Sequence, residues 1–214
     1  MQFIVAFMFV MLAYATAQQP DKFMQRMIAK MRRNAGEAEV GESLTIVDRL
    51  NRRGVSSGDA KKFVQAHNKV RHHARPTPKD LSDMAWDDTL ATTAQKYADK
   101  CIWGHNPHRS DKSKYNYVGE NLFVTTAQGG VEPSAAVEAW AGEVKDYDYE
   151  TKTCNPGRMC GHYTQLVWHD STHVGCGVKV CNTLKNSSMK KATLVVCNYG
   201  PGGNYVGEFP YPAA

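Results

Sequence analysis

A chain of 214 residues with 26 Lys and Arg, 21 Asp and Glu and a net charge of +5 holds one domain of ordinary size plus appendages. The positive excess is modest and spread along the chain, without a dense basic run interleaved with aromatics, which argues against a nucleic-acid partner. It permits weak attraction to acidic glycans or anionic lipid headgroups, and past the first residues no stretch is apolar enough to cross a membrane.

Residues 1–17 read as a cleaved signal peptide. The apolar run from Met1 to Ala13 is too short to span a bilayer comfortably, and Ala15-Thr16-Ala17 fits a signal-peptidase site with cleavage after Ala17. Only the free amino terminus supplies the usual positive start, so a membrane anchor is the alternative, set against by the polar Gln18-Gln19-Pro20-Asp21 that follows. Residues 18–59 form an N-terminal extension. Within it Phe23, Met24, Met27, Ile28 and Met31 share one helical face among Lys22, Arg26, Lys30, Arg32 and Arg33, the pattern of a short basic amphipathic helix. Such a helix packs on the main domain, or frays as an extension, or lies on a membrane surface. Arg49-Leu50-Asn51-Arg52-Arg53-Gly54 is a dibasic site; convertase cleavage after Arg52 or Arg53 would make the extension a pro-region.

The main domain is expected over residues 60–214. Ser57-Gly58-Asp59 reads as a cap for a helix over 60–74 whose inner face is Phe63, Val64, His67 and Val70, stopped by Pro76 and Pro78. A second helix is expected over 88–101 with Leu90, Ala94, Tyr97 and Ala98 inward, then a strand over 117–124 and a third helix over 133–144. In residues 161–169 Tyr163, Leu166 and Val167 take the spacing of one apolar helical face, with His162 in the first turn beside it. Asp170 and Ser171 break that helix, and strands over 173–181 and 192–199 close the sheet. Helices alternating with short strands suggest a sheet between helical layers, an α+β fold.

Four stretches carry a family resemblance. They are His67-Asn68-Lys69-Val70-Arg71 (HNxxR), Gly119-Glu120-Asn121-Leu122, the block from Gly161 to Gly177, and Leu194 to Tyr205 with its Cys197-Asn198-Tyr199-Gly200-Pro201-Gly202 core. Their order and content resemble the CAP superfamily of cysteine-rich secretory proteins, antigen 5 and pathogenesis-related proteins. The resemblance implies a three-layer αβα sandwich around a small antiparallel sheet, stabilised by disulfides. All six cysteines lie between Cys101 and Cys197, and an even number in a secreted chain reads as a disulfide framework with fifteen conceivable pairings. The resemblance implies Cys101–Cys181, Cys154–Cys160 and Cys176–Cys197. A cysteine zinc site is the competing reading, set against by the lack of CxxC pairs. Asn186-Ser187-Ser188 is a glycosylation sequon in a polar stretch between two strands.

His105, Glu120, Glu143 and His162 match the positions that the family gathers in one cleft. Two imidazoles with carboxylates behind them can hold a divalent metal, zinc being the natural choice, at His105 and His162. A Glu–His pair can also act as a general base toward water. The structural alternatives are a buried Glu120 that holds backbone donors and histidines that simply pack. No HExxH and no GxSxG is present, and Ser171 has no visible activating partner, so enzyme activity would rest on the two His and two Glu alone. His67, His169 and His173 are expected to be structural, His72, His73 and His108 exposed, and Trp140, Tyr163, Trp168 and Tyr199 core aromatics.

Residues 146–159 link the third helix to the signature block, and a Cys154–Cys160 bridge would pinch them. In some members of the family the corresponding loop contributes to sterol binding, while others hold fatty acids between helices; Tyr147 and Tyr149 would supply the apolar contacts here, although Asp146, Asp148 and Glu150 make the loop polar. The chain ends without the cysteine-rich tail that gives some vertebrate members ion-channel activity. The function expected is that of a secreted, non-enzymatic protein that binds lipid or sterol and carries a divalent-metal site. The alternatives are a defence or venom-allergen-like effector acting on an extracellular protein or receptor, and a hydrolase using Glu120 or Glu143 as base.

Overall fold

The computed structural model describes residues 54–126 and 131–214. The expected signal peptide with its Ala17 site, the expected basic amphipathic helix and the candidate cleavage site at Arg52-Arg53 lie outside the described residues.

Helix α1 (Ser57–His72) begins where the Ser56 hydroxyl accepts the Asp59 amide, and it buries Ala60, Phe63, His67 and Arg71, a stripe at three- and four-residue spacing. A two-residue strand β1 (Ala85–Trp86) follows, then α2 (Asp88–Ala98), capped by the Asp87 carboxylate, which accepts the Thr89 and Leu90 amides. Strand β2 (Gly119–Thr125) leads to α3 (Pro133–Ala141), which starts with a proline in its first turn and tightens into a 3₁₀ turn at Gly142–Asp146. A ribbon of β3 (Tyr147–Asp148) and β4 (Thr153–Cys154) precedes α4 (Gly161–Leu166) and the long strands β5 (His173–Thr183) and β6 (Lys190–Gly200).

The four-stranded sheet has the order β1-β5-β6-β2. Strand β6 pairs antiparallel with β5 and β2, whereas β1 lies parallel to β5, so the sheet is antiparallel with one short parallel edge. Phe63 of α1, Trp140 of α3, and Tyr163 and Leu166 of α4 pack with Cys176, Val178, Val195 and Tyr199 on one face. Ala94, Tyr97 and Ala98 of α2 pack with Leu122, Leu194 and Val196 on the other. The result is the αβα sandwich. Gly175 and Gly177 let α2 lie on the sheet: a Cβ at Gly175 would sit 2.2 Å from the Ala91 nitrogen, and one at Gly177 2.4 Å from the Gln95 Cα. The Gln95 amide then replaces a missing strand at the β5 edge, donating to the Val178 carbonyl at 3.0 Å and accepting its N–H at 2.9 Å.

Three disulfides cross-link the sandwich, Cys101–Cys181, Cys154–Cys160 and Cys176–Cys197, and no cysteine is free. Losing such a bridge typically costs about 2–5 kcal/mol.

Element limits differ from the sequence expectation where tertiary contacts decide them. The third helix stops at Ala141 because the chain tightens there, and the signature helix stops at Leu166, three residues early, because the carbonyls beyond it are taken by a side chain of α1. That side chain is Arg71. Its Nε donates to the Ser82 carbonyl at 2.8 Å, and its Nη1 donates to the carbonyls of Leu166 at 3.0 Å and Trp168 at 2.8 Å. Asn68, three residues before it, pairs both amide atoms with the Met84 backbone.

His67 completes the motif. Fully buried, it donates from Nδ1 to the Phe63 carbonyl at 2.7 Å and accepts the Tyr199 hydroxyl at Nε2 at 3.0 Å. Burial pushes its pKa from 6.5 down to about 4. Between those values the unfolded chain binds a proton that the folded protein does not, so stability falls as pH drops from 6.5 toward 4. The contribution is on the order of 3 kcal/mol. Urea unfolding at pH 7 and near pH 4 is expected to show this loss in the wild-type protein and a smaller loss in His67→Gln; equal losses would contradict it.

Candidate functional site

The four residues nominated from the sequence form two His–carboxylate pairs at the open edge of the sheet. Glu120, second residue of β2, turns its side chain under α2, where it is 0% exposed. Its Oε1 accepts the Asn106 amide at 2.8 Å and the His105 Nδ1–H at 2.9 Å. His105 itself is 58% exposed and lies over that carboxylate like a cover.

The second pair is tighter. Glu143, in the 3₁₀ turn after α3, accepts the His162 Nδ1–H at 2.6 Å, the His162 amide at 3.0 Å and the Tyr163 amide at 3.2 Å. It therefore caps the first turn of α4, whose own preceding residue Cys160 gives no side-chain cap. The His162 ring is 17% exposed and stacks on Trp140 at 6.2 Å, and the Trp140 indole N–H is fixed on the Leu122 carbonyl. Asn121 joins the two pairs. Next to Glu120 on β2, it donates to the His162 carbonyl at 3.0 Å and to the Tyr199 hydroxyl at 3.2 Å.

With Nδ1–H given to a carboxylate, each neutral ring keeps its lone pair on Nε2, the arrangement found behind metal-ligating histidines. The fit to a metal is partial, since among the described residues no group of three or more His, Cys, Asp or Glu is placed to hold one ion. The same pairs could activate a water; among the described residues neither the cysteines nor Ser171 is available as a nucleophile beside them. All six cysteines are in disulfides, and the Ser171 hydroxyl is buried, donating to the Pro201 carbonyl and accepting the Gln165 amide.

Tyr147 and Tyr149 point inward. Tyr147 packs on Tyr163 with ring centroids 6.1 Å apart, and burial pushes its hydroxyl up to about 12. Tyr149 packs on Phe209 and Tyr211 and donates its hydroxyl to the Tyr211 carbonyl. The disulfide-pinched loop thus has its aromatics anchored in the fold, while Met159 stands exposed at its end. The remaining histidines have local partners: His72 on Asp83, His73 on the Lys69 carbonyl, His108 on Asp111, His169 on Asp170 and His173 on Thr172. Asn186 lies exposed in the turn between β5 and β6, with φ of 61°.

A groove of about 590 Å³ that the sequence reading did not single out runs between α1 and α3. Ala66, Val70, Val137, Ala141, Val144 and Tyr163 make its apolar lining, and Lys62, Lys69 and His73 stand with Glu132 and Glu138 at its rim. Ala66 and Val70 are one turn apart beside the inner stripe of α1, and that spacing was the available signal.

The model of the family described as "CAP: Cysteine-rich secretory protein family" matches residues 64–199. The chain belongs to the CAP family. Its CAP domain is 43% identical to peptidase inhibitor 16 of Mus musculus over 149 residues, covering 70% of this chain and 28% of that protein. It is 39% identical to peptidase inhibitor 15-A of Danio rerio over 180 residues, covering 79% and 67%. The chain thus spans under a third of the length of peptidase inhibitor 16. Among solved structures it resembles venom allergen-like protein 4 of Schistosoma mansoni, with a TM-score of 0.61 at 28% identity over 75% of this chain and 97% of that one. It likewise resembles NaASP2, solved with Zn2+, with a TM-score of 0.61 at 28% identity over 76% and 90%.

Because Glu143 closes three donors at the start of α4, Glu143→Ala is expected to destabilise this CAP domain by about 1–2 kcal/mol. Glu143→Gln, which keeps one acceptor oxygen, should recover part of that loss. Urea midpoints of the two variants check this; equal stability of wild type and Glu143→Ala would refute the capping role.

Proposed function

We propose that this CAP domain is an extracellular, non-catalytic carrier of a single-chain anionic lipid, held in the groove between α1 and α3. The observation that carries the reading is the groove itself: about 590 Å³, within the usual range of small-molecule sites, with an apolar lining and a rim of mixed charge on which Lys69 supplies a cation beside the Lys62–Glu132 ion pair. An acyl chain would lie against Val70, Val137 and Tyr163, and a carboxylate or phosphate would meet Lys69 at the mouth. Tyr147 acts indirectly in this reading, by supporting Tyr163 from behind. A sterol, whose hydroxyl has no use for the Lys69 ammonium, is the less favoured occupant. Three disulfides and the secretory family to which the chain belongs support export, with release after Ala17, further processing at Arg53 and a glycan on Asn186 as parts of the same proposal.

A second reading has its own observation. The Nδ1–carboxylate pairs hold His105 and His162 in the tautomer that ligates through Nε2, which supports weak divalent-cation binding at those two rings with solvent completing the shell. Zinc suits imidazole ligands, and NaASP2, a structural relative, was solved with it.

Native mass spectrometry of protein secreted from eukaryotic cells is expected to show a bound lipid mass. Ala66→Phe and Ala141→Phe, which fill the groove, should weaken binding of a fluorescent fatty acid roughly tenfold or more, about 1.4 kcal/mol. An apo mass with no fatty-acid binding would overturn the lipid reading in favour of an effector that engages an extracellular protein. Added zinc should raise the melting temperature of the wild type and not of a His105→Ala, His162→Ala double variant; an equal rise in both would remove the cation site.

A further inference from the structure

Three buried side-chain atoms on adjacent strands have no hydrogen-bond partner among the described residues: Oε2 of Glu120, and Nδ2 and Oδ1 of Asn198. The strand register sets the two residues opposite each other, Glu120 of β2 against Asn198 of β6. Directly opposed residues of an antiparallel pair share a face and hold their Cβ atoms about 4.5–5.5 Å apart. Asn198 in turn faces Gly175 of β5, where the α2 backbone at Asp87 and Ala91 lies too close for any side chain. The row Glu120–Asn198–Gly175 therefore lies on the face of the sheet that α2 covers, closed at Gly175 by the α2 backbone and at Glu120 by Asn106 and His105. Both side chains are shut off from solvent, at 0% for the Glu120 side chain and 0% for Asn198.

An orphaned buried acceptor or donor costs about 1–3 kcal/mol, more when it is charged, so three in one place call for a partner. A direct amide-to-carboxylate bond would satisfy Nδ2 and Oε2 but leave Oδ1 without a donor. A cation would suit the two oxygens but leave the amide hydrogens without an acceptor. An anion would be repelled by Glu120. Water alone both donates to the two oxygens and accepts from the amide, and such polar, enclosed sites are where buried waters are held.

We infer that ordered water is enclosed between the sheet and α2, bridging Glu120 Oε2 to the Asn198 amide, and that Asn198 is thereby a positioning residue for the carboxylate under His105. The bridge fixes Oε2 downward, which turns Oε1 outward to the Asn106 amide and the His105 Nδ1–H, at 2.8 and 2.9 Å. Asn198 thus acts on the exposed imidazole through water and one carboxylate, without touching it. The role stands whether or not the imidazole takes a cation.

A high-resolution crystal structure of the full secreted chain tests this without any substitution. Density for a water within about 2.7–3.2 Å of both Glu120 Oε2 and an Asn198 amide atom is expected. A map with the Asn198 amide bonded directly to the carboxylate and nothing between them would overturn the inference. Asn198→Leu, of similar size but without polar atoms, should expel the water and speed solvent exchange of the His105 Nδ1–H at least tenfold by NMR, while Asn198→Ser, which keeps a hydroxyl and room for water, should stay near wild type. Equal exchange in Asn198→Leu and wild type would also overturn it, and if that variant does not fold the wild-type map decides.

Discussion

A buried guanidinium holds the signature segment in place. Helix α4 is six residues long, too short to stand by its own hydrogen bonds, and the carbonyls at and beyond its end call for donors, of which the chain nearby gives one, the Ser171 amide on the Trp168 carbonyl at 3.2 Å. Arg71, reaching from α1, supplies them to Leu166 and Trp168 and ties the Ser82 carbonyl to the same point. The planar fork suits several acceptors at once, and charge-assisted bonds are about twice as strong as neutral ones. Burial pushes the Arg71 pKa down to about 10, which leaves it charged at neutral pH. A cation only 1% exposed is tolerable because these carbonyls take the place of its water.

The start of α4 is held as firmly, from two other elements. Glu143 closes its first amides from the turn after α3, and Asn121 reaches the His162 carbonyl from β2. Asn121 in turn belongs to a buried chain through Tyr199 to His67 on α1. His162 is therefore positioned from α1, α3 and β2 together. His105 differs: it rests on one carboxylate and is largely exposed. One ring is held from three elements and the other from a single carboxylate.

Much of this was legible in the sequence because the motifs are the nodes. His67, Asn68 and Arg71 were visible as an HNxxR stretch, and each makes buried bonds that explain its residue type. Glu120, Glu143, His105 and His162 were nominated by resemblance and do pair, two and two. What stayed hidden depends on distant partners. The orientation of Tyr149 is set by Tyr211, 62 residues away, and the β1 edge is two residues paired with His173 and Val174, too short to show a period. The groove arises only when α1 and α3 lie side by side, and the polar pair Glu120–Asn198 only when β2 and β6 are in register. Gly175 and Gly177 could be read as glycines in a strand, but the reason for them is the α2 backbone above.

Native-state hydrogen exchange of an Arg71→Lys variant tests most directly whether the guanidinium holds α4. A lysine keeps the charge but has no fork with which to reach several carbonyls. The amides of Thr164 and Val167, bonded to Cys160 and Tyr163, should exchange at least tenfold faster than in the wild type, about 1.4 kcal/mol of lost local protection, while those of α2 and β6 keep their rates. Unchanged protection in α4, or an equal loss throughout the domain, would contradict the account.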